Sequence, residues 1–161
     1  MNLQKLFDMQ RELDLHIEEN HPRINGESRL KEKVTALLVE LGELANEIRF
    51  FKFWSNRPAS EKQIVLEEFV DGVHFILSLG LEMGVETLEI HSIQSSSLND
   101  QFIGLFNAVS LLGIQFSEKA YGHVFSAYIG LGEMLGFNWG EIETAYLAKN
   151  TINHARQKDF Y

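Results

Sequence analysis

The chain has 161 residues, 45% of them apolar and twelve of them Phe, so it is large enough for one packed domain and too hydrophobic to stay disordered. It contains no Cys, which excludes disulfides, thiolate metal sites and a Cys nucleophile and leaves oxygen and imidazole as the strong ligands. A net charge of −9 argues against a general binder of nucleic acid polymers, and no uncharged apolar run approaches the ~20 residues that span a bilayer.

In chain order, the opening "MNLQKLFDMQRELDLHIEENH" mixes polar and apolar residues without a signal-type apolar core, which predicts a first helix near 2–19 and a soluble, cytoplasmic protein with no membrane partner. "ENHPRINGES" breaks the pattern. A second helix is expected over 28–54, where Leu37, Leu41, Leu44 and Ile48 follow the three-and-four step of an amphipathic face. "SNRPASEK" ends it, and a third helix is expected over 60–84. After "HSIQSSSLND", Asn99 or Asp100 is expected to cap a fourth helix over 99–115. A fifth is expected over 118–135. Asn138 with Glu141 three residues on resembles a capping box, so a sixth helix begins near Trp139 and runs to 157. Both prolines, Pro22 and Pro58, lie in the breaks, and alternation of period two is hardly seen. The expectation is an all-α, multi-helix bundle forming a single domain over 1–161. Glycines crowd the C-terminal half, either for close packing or as breaks, and the sequence does not choose between the two.

The most apolar stretch, "IVLEEFVDGVHFILSLGL" over 64–81, contains Glu68 and Asp71. An unpaired carboxylate among Phe69, Val70, Val73, Phe75 and Ile76 costs several kcal/mol or takes up a proton. Three residues apart, the two acids point to one side of their helix. The second helix carries a matching pair, Glu40 and Glu43, with Glu47 extending the stripe. Two such pairs on neighbouring helices bring four carboxylates together, and a hard divalent cation such as Mg²⁺ relieves their repulsion. Glu40 and Glu43 alone read as a solvated helix face; Glu68 and Asp71 fit that reading less well, because almost every neighbour is apolar, although one could border the core and face water. Asp71 and His74 form a D-x-x-H step, but a carboxylate-bridged di-iron site needs Glu-x-x-His on two helices, and Glu43 is followed by Asn46; His74 is read as a packed or supporting group. His16, His21, His91, His123 and His154 suggest no site.

Three blocks carry a resemblance: "ELGELANEIRFFKFW", "EEFVDGVHFILSLGLEMG" and "YLAKNTINHARQKDFY", with a weaker one in "LQKLFDMQRELD". At these residues the chain resembles the dimeric, all-α dUTPases within the wider all-α (MazG-like) NTP pyrophosphatase superfamily. The E-x-x-E step is shared across that superfamily; the Lys-x-Trp element and the K-N-x-x-N-x-x-R-Q block narrow it to dUTPases. The resemblance implies a bundle of that type and Mg²⁺-dependent hydrolysis of dUTP, with dUDP as a further candidate substrate, to dUMP, pyrophosphate leaving from dUTP. It implies Mg²⁺ held by Glu40, Glu43, Glu68 and Asp71, with Glu40 or Glu43 as the catalytic base and Glu40 preferred. It places Lys52, Lys149, Asn150, Asn153 and Arg156 on the phosphates, and Trp54 and Phe75 near the base or sugar. Gln10 would read uracil, with Asp14 beside it where relatives can carry Asn. It implies a homodimer. The ending Phe160-Tyr161, where relatives often show Gly-Tyr, implies a minimal closing segment.

Without the resemblance, "KNTINHARQK" reads as a basic, solvated last helix, Lys52 as an ammonium lying over aromatic surface, Phe75 as core and Gln10 as surface. Two other functions remain open at this point. One is a broader house-cleaning NTP pyrophosphatase with the same metal site and a looser base pocket. The other is a helical binding or scaffold protein whose acids are solvated.

Overall fold

The structure is a computed structural model and describes residues 3–85 and 87–158. Six helices follow one another: α1 (Leu3–Asn20), α2 (Leu30–Ile48), α3 (Lys62–Met83), α4 (Leu98–Leu112), α5 (Glu118–Met134) and α6 (Trp139–Lys158), with no strand among the described residues. The long apolar α3 is the axis. It packs against α1, α2, α5 and α6, while α4 sits on α2 and α5, and α1 on α6. Its position explains its composition: Phe69, Val70, Ile76, Leu77 and Leu79 are all fully buried, so α3 has core on most sides. The stripe Leu37, Leu41 and Leu44 of α2 is equally buried against it.

Two boundaries depart from the sequence expectation. The second helix ends at Ile48, not at 54. Arg49 adopts a left-handed conformation with φ 62° and returns its N–H to Ala45 O, which closes the helix, and Phe50–Trp54 form turns. The aromatic run continues an apolar pattern, but its rings serve local contacts: Phe50 stacks on Phe102 of α4 at 4.7 Å, and Trp54 meets Phe51 and Phe53 edge-on. The fourth helix runs over 98–112, and its cap is Ser97, whose Oγ accepts from Asp100 N, rather than Asn99 or Asp100. The last helix starts as expected, with Asn138 Oδ1 accepting from Glu141 N and Glu141 Oε2 accepting from Asn138 N, both at 3.0 Å.

Between α3 and α4 the chain lies across α5. Ile93 N donates to Ser126 O, and the buried Gln101 side chain donates to Ile93 O and Ala127 O while accepting from Ser95 N. A Cβ at Gly130 would stand 1.9 Å from Ile93 O, so this crossing requires glycine there. Gly136, at φ 77°, instead marks the turn after α5. The C-terminal glycines therefore serve both purposes that the sequence left open.

Two charged side chains tie the α1–α2 connection to the end of α3. Arg23 donates to both oxygens of Glu82, at 2.6 and 2.7 Å, and also to Glu18. Glu82 further accepts from Lys33 Nζ at 2.9 Å and from Arg29 N at 3.1 Å. These hydrogen bonds, Arg23 first, hold the Glu82 carboxyl down to about 2.

Candidate active site

The helical step of three and four residues puts Asp71, His74, Phe75 and Ser78 on one side of α3, and Lys33, Ala36 and Glu40 on the facing side of α2. With Gln10, Asp14 and Glu18 of α1 and Asn153 and Arg156 of α6, these residues line a cavity of about 430 Å³. That size suits a small-molecule ligand. Asp71 and Ser78 are seven residues apart on one helix, so the acidic end and the Gln10 end of the cavity are separated by about 10 Å.

At the acidic end, Glu40, Glu68 and Asp71 each bring a carboxylate oxygen within 4.8 Å of the others. Burial pushes the Glu40 carboxyl up to about 7, assisted by the charges of Asp71, Glu43 and Glu68. Burial likewise raises Glu68, together with Asp71 and Glu43. Asp71 is raised by burial even though Lys149 Nζ donates to its Oδ2 at 2.6 Å. One ammonium therefore offsets part of the charge of a cluster that stays strained. Glu43 is exposed and stands outside the tight trio, but close enough to raise all three of its members. Glu47 accepts from Ser60 Oγ across the α2–α3 loop and extends the same negative field to Glu68. An oxygen-only donor set under mutual repulsion fits a hard divalent cation, which the trio would hold with waters and ligand oxygens completing its shell.

At the other end, a buried Gln10 bonds on every side. Its Nε2 donates to Asp14 Oδ1 at 2.7 Å, and its Oε1 lies 2.8 Å from His74 Nδ1 and accepts from Tyr146 Oη at 2.9 Å. Asp14 Oδ2 accepts from Ser78 Oγ at 2.6 Å and pairs with Lys33 Nζ at 3.3 Å. His74 stacks on Tyr146 with centroids 4.1 Å apart, and burial first, then Lys149, pushes the imidazole down to about 3. His74 Nε2 and Asn150 Nδ2 are buried without a protein partner.

Gln10, Asp14, Glu40, Asp71, Phe75, Asn153 and Arg156 thus share one cavity, and Glu68 and Lys149 attach to it through Asp71. Asn150 lies buried on the same helix, one turn beyond Tyr146. Lys52 and Trp54 are not brought to the cavity wall: Lys52 Nζ lies over the Phe51 ring at 5.4 Å, and Trp54 is exposed on the α2–α3 loop. Lys33 and Ser78 were not singled out by sequence reasoning. A signal existed for both, since Lys33 continues the Glu40 stripe backward and Ser78 continues the Asp71 stripe forward at helical spacing. His16 and His154, also passed over, stack at 5.3 Å with Nδ1 atoms 3.0 Å apart and join α1 to α6.

The neutral His74 sets a pH dependence. An unfolded chain takes up a proton at this residue below about 6.5, whereas the folded chain refuses it until about 3. Its contribution is complete above 6.5 and is lost as pH falls through that window, by up to about 1.4 kcal/mol per pH unit. Urea unfolding from pH 7.5 to 5 should show the wild type losing stability relative to His74→Gln; parallel curves would contradict the buried neutral ring.

Among the described residues, the helical bundle sets a carboxylate trio at one end of a cavity sized for a small-molecule ligand, an arrangement open to metal-assisted chemistry. A family model described as dUTPase matches residues 2–161, and the chain belongs to that family. No curated protein matches it. Family membership makes the chain a dUTP diphosphatase, a hydrolase whose substrate is a nucleotide and whose family uses a divalent metal. The scaffold reading is thereby set aside. No helix among the described residues is long and apolar enough to cross a membrane.

Proposed function

We propose that this protein cleaves dUTP to dUMP and pyrophosphate with Mg²⁺ held by Glu40, Glu68 and Asp71, Glu43 completing the set from the rim. The observation that supports this reading is the convergence of three carboxylates within 4.8 Å at one end of a cavity whose other end holds Gln10. The bound ion supplies charge neutralisation for the phosphates and for the acids themselves. Glu40 takes the proton from the attacking water. The water oxygen bonds to the α-phosphorus as the bond to the bridging oxygen breaks, and pyrophosphate leaves with that oxygen. Arg156, Lys149, Asn150 and Asn153 hold phosphate oxygens from α6. Gln10 and Asp14 face the base, and Phe75 packs against the sugar. The same site would admit dUDP, which lacks only the terminal phosphate. The whole of 1–161 acts as one domain, in the cytoplasm, where a Cys-free nucleotide-pool enzyme meets its substrate.

A panel of dUTP, dTTP, dCTP and UTP, each with and without Mg²⁺, tests this reading. Strong Mg²⁺-dependent preference for dUTP supports it, while comparable rates on all four would favour the broader house-cleaning activity. Arg156→Ala should lower kcat/KM for dUTP by about tenfold to a hundredfold, through the ~1.5–3 kcal/mol of a charge-assisted phosphate contact, with thermal stability unchanged. Unaltered kinetics would remove Arg156 from the site.

The active form is a homodimer on this reading. Ile103, Leu111 and Ile114 are exposed on and just beyond α4, Ile114 by 82%, and Phe53 is 93% exposed on the loop whose Phe50 packs against Phe102. Apolar surface of this kind suits a second copy. Light scattering at micromolar concentration should give twice the 18.5 kDa chain mass, and Ile103→Lys with Ile114→Lys should halve it. A fully active monomer would end the dimer reading.

A further inference from the structure

The hydrogen bonds at the Gln10 end run in one direction, and their direction is imposed from outside the amide. The two ends of a Gln side chain are nearly alike in shape, so partners decide which end is the donor. The Asp14 carboxylate, paired with Lys33, offers acceptors only. Its Oδ2 takes the Ser78 hydroxyl at 2.6 Å and faces the Lys33 ammonium at 3.3 Å, so Oδ1, 2.7 Å from Gln10, must meet an N–H. Gln10 therefore turns its carbonyl to the opposite side, toward His74 Nδ1 at 2.8 Å and the Tyr146 hydroxyl at 2.9 Å. A carbonyl accepts, so His74 Nδ1 carries the hydrogen. A neutral imidazole has one N–H, and Nε2 is then a bare lone pair, buried and without a protein partner in a ring that lines the cavity.

We propose that Asp14, anchored by Lys33 and Ser78, is a positioning residue that fixes the direction of the Gln10 amide and, through it, the Nδ1–H tautomer of His74. An Asn at 14 reverses that control, because the Lys33 ammonium, a donor only, holds its Oδ1 and leaves its Nδ2 to face Gln10. Gln10 can then turn over, and His74 can exchange its acceptor at Nε2 for a donor. The consequence for selectivity rests on the dUTP reading of the cavity. A bare Nε2 welcomes a ring N–H, which uracil carries at N3 and cytosine does not.

Histidine ¹⁵N spectra of the protein at pH 7.5, with the His74 signals identified by their loss in His74→Gln, decide the matter. The wild type should show a protonated Nδ1 and an unprotonated Nε2. Asp14→Asn should move both resonances toward the Nε2–H tautomer. The same variant should lose about tenfold in dUTP-over-dCTP preference, through KM more than kcat. A wild-type Nε2–H form, or His74 resonances unmoved by Asp14→Asn, overturns the proposal, and the wild-type spectrum stands even if the variant does not fold. A wild type that shows the expected tautomer but leaves dUTP intact upholds the relay and removes the proposed function; the wrong tautomer with brisk dUTP hydrolysis does the reverse.

Discussion

Glu40→Gln, Glu68→Gln and Asp71→Asn should each slow dUTP hydrolysis by about 10³-fold or more, because a lost metal ligand removes several kcal/mol of stabilisation from a transition state with charge on the leaving phosphates. The stability of the metal-free proteins should separate the three. Glu40 holds its proton to about 7 in the folded chain and to about 4.5 in an unfolded one. Its charge is therefore a burden that grows as pH rises through that window and is complete above 7, the opposite sign to His74. Glu40→Gln lifts the burden. After allowance for solvent screening of a half-buried group, it should stabilise the metal-free protein by about 1–2 kcal/mol at pH 8. Glu68→Gln should act in the same direction. Asp71→Asn should act in that direction more weakly, since it also removes the carboxylate 2.6 Å from the Lys149 ammonium. Calorimetry of the chelator-treated proteins measures this. Near-normal hydrolysis in all three variants, or equal melting shifts, would show that the acids do not act as the cluster described.

The largest effect on stability should come from Phe69→Ala, at about 3–5 kcal/mol. Phe69 is completely buried between the two acids of α3, stacks on Tyr128 with centroids 4.7 Å apart and touches Phe137. The opposing helix is shaped to receive it: a Cβ on Gly132 would stand 2.6 Å from the Phe69 ring, so α5 approaches there by lacking a side chain. Tyr128 Oη donates to Phe69 O at 2.8 Å, which fixes the same point of α3 by a polar contact. Tyr128 is held back from the space left by the ring, because its hydroxyl is tied to the Phe69 carbonyl. Urea denaturation should show the loss, and one below 1 kcal/mol would mean that α3 and α5 can close the gap.

The helical layout was legible because Leu37, Leu41 and Leu44 repeat at a spacing that only a helix converts into one buried face. The acidic trio was legible for a related reason: Glu68 and Asp71 are conspicuous in an apolar segment, and Glu40 with Glu43 repeats their spacing. The end of α2 was not. Phe50, Phe51, Phe53 and Trp54 extend the apolar pattern past Arg49, and nothing in that pattern reveals that Arg49 takes a left-handed turn. The cap of α4 was missed among three consecutive serines, where Ser97 is selected by its reach to Asp100 N. Asp14, Lys33 and Glu82 could not be joined from sequence, since the links span 19 and 49 residues and depend on how three helices are set against one another. Lys52 and Trp54 were named through resemblance, and their loop stands apart from the cavity wall.

The packing of α1 on α6 has a consequence for how the protein is made. The cavity is walled by residues from the first twenty and the last twenty-five positions of the chain, with Tyr146 closing the hydrogen bonds of Gln10. On a ribosome, α1 to α5 emerge before their final wall exists, and Gln10 and His74 wait without Tyr146 until α6 docks. That helix is only weakly amphipathic, so it gains order by joining the others rather than by forming alone. Assembly of the site is thus a long-range event that waits for α6, and a chain cut before α6 would lose the wall that carries Lys149, Asn153 and Arg156.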